Sequence, residues 1–122
     1  MIDAKTTQRW GDGKVQRHDL PQCHGGQGTL AFAELMSGGR AAGRQLNFLH
    51  DDVLAPGVSI GVHRHDKDEE YYYILSGQGI MTLDGVRQEV GPGDLTAVYP
   101  GGEHGLENTG HEHLRVIVIG LS

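Results

Sequence analysis

The chain has 122 residues, enough for one domain with one core and too few for two. Its net charge of −6 with neutral histidines, unbroken by any Lys/Arg cluster, argues against a nucleic-acid partner. Glycine, at 20 residues against a usual share of about 7%, points to many tight turns and away from long helices.

No apolar run approaches the roughly 18 residues of a membrane span, and the opening MIDAKTTQRW offers no apolar stretch of signal-peptide type. Cys23 is the sole cysteine, so no internal disulfide is expected and a reducing cytoplasm is the default setting.

In chain order, residues 1–28 read as a polar, glycine-punctuated arm ending in CHGGQG, with one short edge strand. Beyond it the apolar period is close to two, the signature of strands. Leu30 and Phe32 alternate, then Leu46 and Phe48, then Val58, Ile60 and Val62. The segment Gly38 to Arg44 between them reads as a loop. Tyr71 to Leu75 is apolar or aromatic on both faces. Ile80 to Leu83 and Val86 to Val90 flank Asp84-Gly85, a strong hairpin signal because both residues tolerate positive φ. Leu95 to Tyr99 and Leu114 to Leu121 complete the set. Turns such as Ala55-Pro56-Gly57, Gly91-Pro92-Gly93 and Pro100-Gly101-Gly102 separate the runs, which predicts an all-β sandwich or barrel.

Alternation places Glu70, Tyr72 and Ile74 on one face and Tyr71, Tyr73 and Leu75 on the other. The last strand is likewise apolar on both sides. A barrel wall is apolar inside and polar outside, so the outer face calls for cover. A homodimer is predicted, with cover by residues 20–50 of the same chain as the alternative.

The chemistry gathers in GVSIGVHRHDKDEEYYYILSG, residues 57–77. His63 and His65 are two apart on a strand and leave the same face. Glu70 follows on the next strand, and His104 lies on a later strand past the Pro100-Gly101-Gly102 turn. Three imidazoles and a carboxylate make a site for Mn, Fe, Co, Ni, Zn or Cu with one or two positions left for water or ligand. Ser59, Tyr72 and Ile74 are expected to wall the pocket, with Tyr72 the candidate catalytic acid or base and His24 and His50 further ones. His111 and His113 read as a solvated loop, Glu69 as surface, and His18 has no visible partner.

These residues resemble the cupin superfamily. Its first motif, G(X)₅HXH(X)₃₋₄E(X)₆G, matches Gly57, His63, His65, Glu70 and Gly77. Its second, G(X)₅PXG(X)₂H(X)₃N, matches Gly93, Gly101, His104 and Asn108, with the proline displaced by one to Pro100. The resemblance implies a double-stranded β-helix (jelly-roll) barrel over 1–122 with both motifs in 57–108. It also implies one divalent metal ion (Mn, Fe, Ni or Zn) on His63, His65, Glu70 and His104. The pattern is similar to small bacterial cupins assigned as oxalate decarboxylases or mannose-6-phosphate-isomerase-like proteins. Oxalate decarboxylases, however, have two barrels and an arginine three residues before the first ligand histidine, where this chain has Ile60. The implied function is metal-dependent lyase, isomerase or decarboxylase action on a small carboxylate or sugar acid. The alternatives are a non-catalytic module for a small anionic ligand and a metal-dependent dioxygenase.

Overall fold

A computed structural model describes residues 14–37 and 45–122; the loop expected over Gly38 to Arg44 and the first half of the arm lie outside them. Eleven strands follow in order. They are β1 (His18–Pro21), β2 (Thr29–Phe32), β3 (Glu34–Ser37), β4 (Leu46–Leu54), β5 (Ser59–Arg64) and β6 (Glu69–Ser76). The remainder are β7 (Gly79–Leu83), β8 (Val86–Val90), β9 (Leu95–Val98), β10 (Glu103–Glu107) and β11 (Leu114–Leu121). The helical structure among the described residues is one short turn at Cys23–Gly25.

The strands form two antiparallel sheets. One runs β1-β2-β4-β11-β6-β9 with β3 also paired to β4, and the other runs β5-β10-β7-β8. Alternation sets what each strand buries. On β11 every second residue, Leu114, Val116, Val118 and Gly120, is buried, and on β6 Glu70, Tyr72 and Ile74 are. These inward residues meet Leu30, Leu54, Ile60, Met81 and Leu106 in one apolar core between the sheets. Asp84 (φ 47°) and Gly85 (φ 81°) both adopt the left-handed region, as the β7–β8 hairpin requires.

Strict alternation breaks on β5. Opposite β10, His63 pairs with His104 but Ile60 pairs with Leu106, so Gly61 and Val62 together face Gly105. This bulge inserts one residue and flips the faces on either side of it. Ile60 therefore points into the core at 3% exposure while Val62 stands 51% exposed. Two-residue alternation predicts that Ser59 shares the inward face with His63; the bulge between them puts it on the other face.

The two neighbouring acids of β4 are both buried, on opposite faces. Asp51 turns outward, where Arg115 holds it with two hydrogen bonds of 2.9 and 2.6 Å and Arg17 of the arm adds a third at 3.2 Å. The Arg115 guanidinium keeps the Asp51 carboxyl below its ordinary range. Asp52 turns inward with no such partner, and its Oδ1 accepts the Ala33 N–H at 3.2 Å.

Candidate metal centre

His63 and His65 come from β5 and the residue just past its end, Glu70 from the start of β6 in the facing sheet, and His104 from β10. One ligand atom from each lies within 4.8 Å of all the others. The His104 Nε2 stands 3.2 Å from the Nε2 of His63, 3.2 Å from that of His65 and 3.0 Å from Glu70 Oε1. Glu70 Oε1 is 3.8 Å from His63 Nε2 and 3.7 Å from His65 Nε2. Donors bound about 2.1 Å from one ion at angles of about 90–130° stand about 3.0–3.8 Å apart, so the five separations involving His104 or Glu70 fit a shared cation.

Hydrogen bonding alone does not account for the cluster. His63 Nδ1 faces the Gly61 carbonyl at 2.8 Å and His65 Nδ1 faces Asp68 Oδ1 at 3.0 Å. Both partners only accept, so the proton of each ring sits on Nδ1 and Nε2 presents a lone pair to the centre. Between two such lone pairs and a carboxylate, His104 Nε2 has at most one proton to give, and its buried Nδ1 has no partner at all. An electron-rich cluster short of protons is what a divalent cation fits.

The electrostatics agree. Burial would raise the Glu70 carboxyl, but the hydrogen bond from His104 and the imidazoles gathered around it hold it well below the ordinary carboxylate range. Burial lowers the His104 imidazole, against the pull of Glu70, and so favours the neutral form that ligates metal. The Pro100-Gly101-Gly102 turn fixes His65 through its backbone, with His65 N–H donating to Gly102 O at 2.9 Å and Gly101 N–H donating to His65 O at 2.6 Å.

A cavity of about 270 Å³ opens from this cluster. Leu20, Leu30, Phe32, Phe48, Ile60 and Val118 supply its apolar wall, and Cys23, His24, His50, Asp52 and Tyr72 line it with His65 and Glu70. Tyr72 is thus in the pocket, its ring 4.6 Å from that of His104, and burial raises its phenol well above the ordinary value. It remains a hydrogen-bond donor and is a poor base. Ile74 is wholly buried in the core and Ser59 accepts the Gln27 N–H at 2.8 Å; neither lines this cavity. His111 and His113 are exposed in the loop before β11, and His18 is exposed on β1.

The arm residues Cys23 and His24 form a wall of the cavity. The His24 ring stacks on His63 at 3.6 Å and 13°, with its own backbone in the left-handed region. What lets the segment come so close is a pair of glycines. A Cβ on Gly26 would stand 2.1 Å from Ser59 O, and one on Gly61 would stand 2.0 Å from His24 O. Burial, with help from Asp52 and Glu70, pushes the Cys23 thiol up to about 11, so it is an inert pocket thiol and no nucleophile. His50 stacks on Phe48 at 4.3 Å and lies 3.5 Å from Glu34.

Sequence reasoning passed over Asp52. Its side chain is 2% exposed, and burial pushes its carboxyl up to about 7, the Ala33 N–H and Arg17 lowering it and Asp51 and Glu70 raising it further. The available signal was the adjacency Asp51-Asp52 within a strand, where one of two neighbours must face inward.

The comparisons with known proteins agree with this geometry. The cupin domain model matches residues 51–120. An oxalate-binding protein of Thermotoga maritima is 33% identical over 100 residues, covering 82% of each chain. A dimethylsulfoniopropionate lyase of Ruegeria pomeroyi is 35% identical over 88 residues, 72% of this chain and 56% of that enzyme. Among solved structures, a T. maritima protein described as a predicted oxalate decarboxylase superposes with a TM-score of 0.86 at 27% identity, covering 93% of this chain and 98% of that one. With two sheets folded over a His/Glu cluster and a domain match spanning more than half its length, this chain belongs to the cupin family.

Proposed function

We propose that the protein holds one divalent transition-metal ion on His63, His65, Glu70 and His104 and uses it to act on a small carboxylate, in the manner of a lyase, isomerase or decarboxylase. The convergence of four ligand atoms within 4.8 Å, two of the imidazoles already fixed by outer partners, carries this reading. When bound, such an ion supplies Lewis acidity, a template for a carboxylate and a lowered pKa for water. Three neutral imidazoles and one carboxylate leave the site with about one net positive charge, which favours an anionic ligand. The name of the Thermotoga relative, an oxalate-binding protein, supports the same ligand class.

Around that centre the chain's own groups have distinct parts. Leu30, Phe32, Phe48 and Val118 exclude water. The Tyr72 phenol donates a hydrogen bond. The Asp52 carboxyl, near 7, is able to give or take a proton at neutral pH, as a general acid or base must. The test is protein stripped with chelator and reloaded separately with Mn, Fe, Ni and Zn. Each form is screened with oxalate, 2-oxo acids, 2-hydroxy acids and sugar acids for turnover and for thermal shift. Turnover with one metal is the expected result. Thermal shift with no turnover identifies a binding module, and oxygen consumption confined to the iron form identifies a dioxygenase.

The oligomer proposed is a homodimer. Tyr73, Leu75, Leu95 and Tyr99 stand 39–60% exposed on the outside of β6 and β9. Among the described residues, the chain before β5 extends the large sheet through β1, β2 and β3 and leaves this face uncovered. Such a contiguous apolar face marks an interface. Light scattering on a sizing column is expected to give twice the chain mass, and the monomer mass for Tyr73→Lys/Leu95→Lys. A monomeric unsubstituted protein would end this idea.

A further inference from the structure

The cavity beyond the metal cluster is shaped for a ligand unlike oxalate. At about 30 Å³ per water in the liquid, its 270 Å³ corresponds to about nine waters, more than a molecule of oxalate's size displaces. Most of the accessible wall is carbon, from Leu20, Leu30, Phe32, Phe48, Ile60 and Val118. Among the described residues, no lysine or arginine lines it. The position from which a cation could reach the ligand, three residues before His63, holds Ile60, whose side chain turns inward through the β5 bulge.

Charge points the same way. The loaded centre carries about one net positive charge, enough for one carboxylate. Among the described residues, a second carboxylate would meet no lining cation and would share the cavity with the Asp52 carboxyl. A polyhydroxylated body would trade its water for a wall that is largely apolar, with most of its hydroxyls unpaired. The polar groups present are engaged elsewhere in part: His50 with Glu34, His24 with the ring of His63, and Asp52 with the Ala33 N–H.

Resting on the metal-site reading above, we infer that the site takes a monoanionic 2-oxo or 2-hydroxy acid with an apolar body, in preference to both oxalate and sugar acids. The carboxylate and its neighbouring oxygen form the head that meets the metal centre. An aliphatic or aromatic chain fills the space bounded by Phe32, Phe48, Leu30 and Val118. Asp52 is the residue that discriminates against a second negative charge.

The experiment uses full-length protein loaded with cobalt(II), titrated with oxalate, pyruvate, 4-methyl-2-oxopentanoate, phenylpyruvate and gluconate. Calorimetry reads affinity, and the visible cobalt bands report binding at the metal, independent of turnover. Each further buried carbon is worth about fourfold in affinity. 4-Methyl-2-oxopentanoate and phenylpyruvate are therefore expected to bind at least tenfold tighter than pyruvate, and tighter than oxalate or gluconate. Val118→Met, which narrows the cavity, is expected to bring the two larger acids within threefold of pyruvate with the cobalt spectrum unchanged. Asp52→Asn is expected to raise oxalate affinity at pH 8 by at least fivefold with less than twofold effect on pyruvate. Normal cobalt uptake with oxalate or gluconate as the tightest ligand would overturn the inference and leave the metal site standing. Failure to take up cobalt would overturn both.

Discussion

Replacing His104 by alanine is expected to abolish stoichiometric metal binding, with affinity reduced by well over a hundredfold. Removal of a mere outer-shell partner typically costs 10–100-fold, and His104 stands closer to the centre than any such group. Its Nε2 is the one atom within 3.2 Å of all three other donors, so the variant leaves the Glu70 carboxylate 3.7–3.8 Å from each of two imidazoles with no ring between them. The readout is metal content by plasma mass spectrometry, beside the thermal shift on adding metal. At a thousandfold excess over its dissociation constant, a ligand of the native state adds about 4 kcal/mol, and that gain should vanish in the variant. Because His104 is fully buried, its loss also opens a cavity of its own. The less buried alternative is His63→Ala, whose side chain is 12% exposed and lies outside the apolar core; it should lose metal equally. Stoichiometric metal retained in both variants would leave the four-residue centre without support.

The gathering of His63, His65, Glu70 and His104 was legible in the sequence because it follows from spacing. His63 and His65 lie beyond the β5 irregularity, and Glu70 begins a regular strand, so period-two reasoning orients all three. The Asp84-Gly85 hairpin and the inward faces of β6 and β11 were legible for the same reason, since each depends on neighbours within one strand or turn. The Ser59 side of the pocket was not. The extra residue at Gly61-Val62 reverses the faces behind it, and a bulge carries no local signal beyond a glycine that could equally have served close packing. The part played by CHGGQG was hidden because it is non-local: Gly26 and Gly61 are clear of each other in sequence, yet each makes room for the other segment's backbone. Asp52 was hidden by chemistry, because acids at a strand position read as solvated, and its environment is assembled by β2, β4, β6 and the arm together.

That environment makes Asp52→Asn the most telling substitution for stability. The carboxyl is pushed from 3.8 up to about 7, first by burial and then by the neighbouring Asp51 and Glu70, with Arg17 and the Ala33 N–H in opposition; Cys23 and Tyr72 face it as neutral groups. An acid that keeps its proton longer in the folded chain makes folding take up a proton, so stability falls as pH rises from about 4 to about 7 and is level above. At about 1.4 kcal/mol per pH unit, the full interval amounts to about 4 kcal/mol lost by pH 8. Asparagine keeps the oxygen that accepts from Ala33 and has no charge to desolvate. The variant is therefore expected to match the parent near pH 4 and to exceed it by about 2–4 kcal/mol at pH 8 in urea unfolding of chelator-treated protein. Every other ionisable residue is shared by the two proteins, so the difference between the two curves reads Asp52 together with its coupling to Asp51 and Glu70. A difference independent of pH would mean that the carboxyl is already ionised in the fold near pH 4. Its part as a proton carrier at neutral pH would then be lost, and the cavity would rely on Tyr72, His24 and His50 for a donor. A difference that opens between pH 4 and 7 would establish a carboxylic acid able to gain or lose its proton near neutrality, in the same cavity as His65 and Glu70.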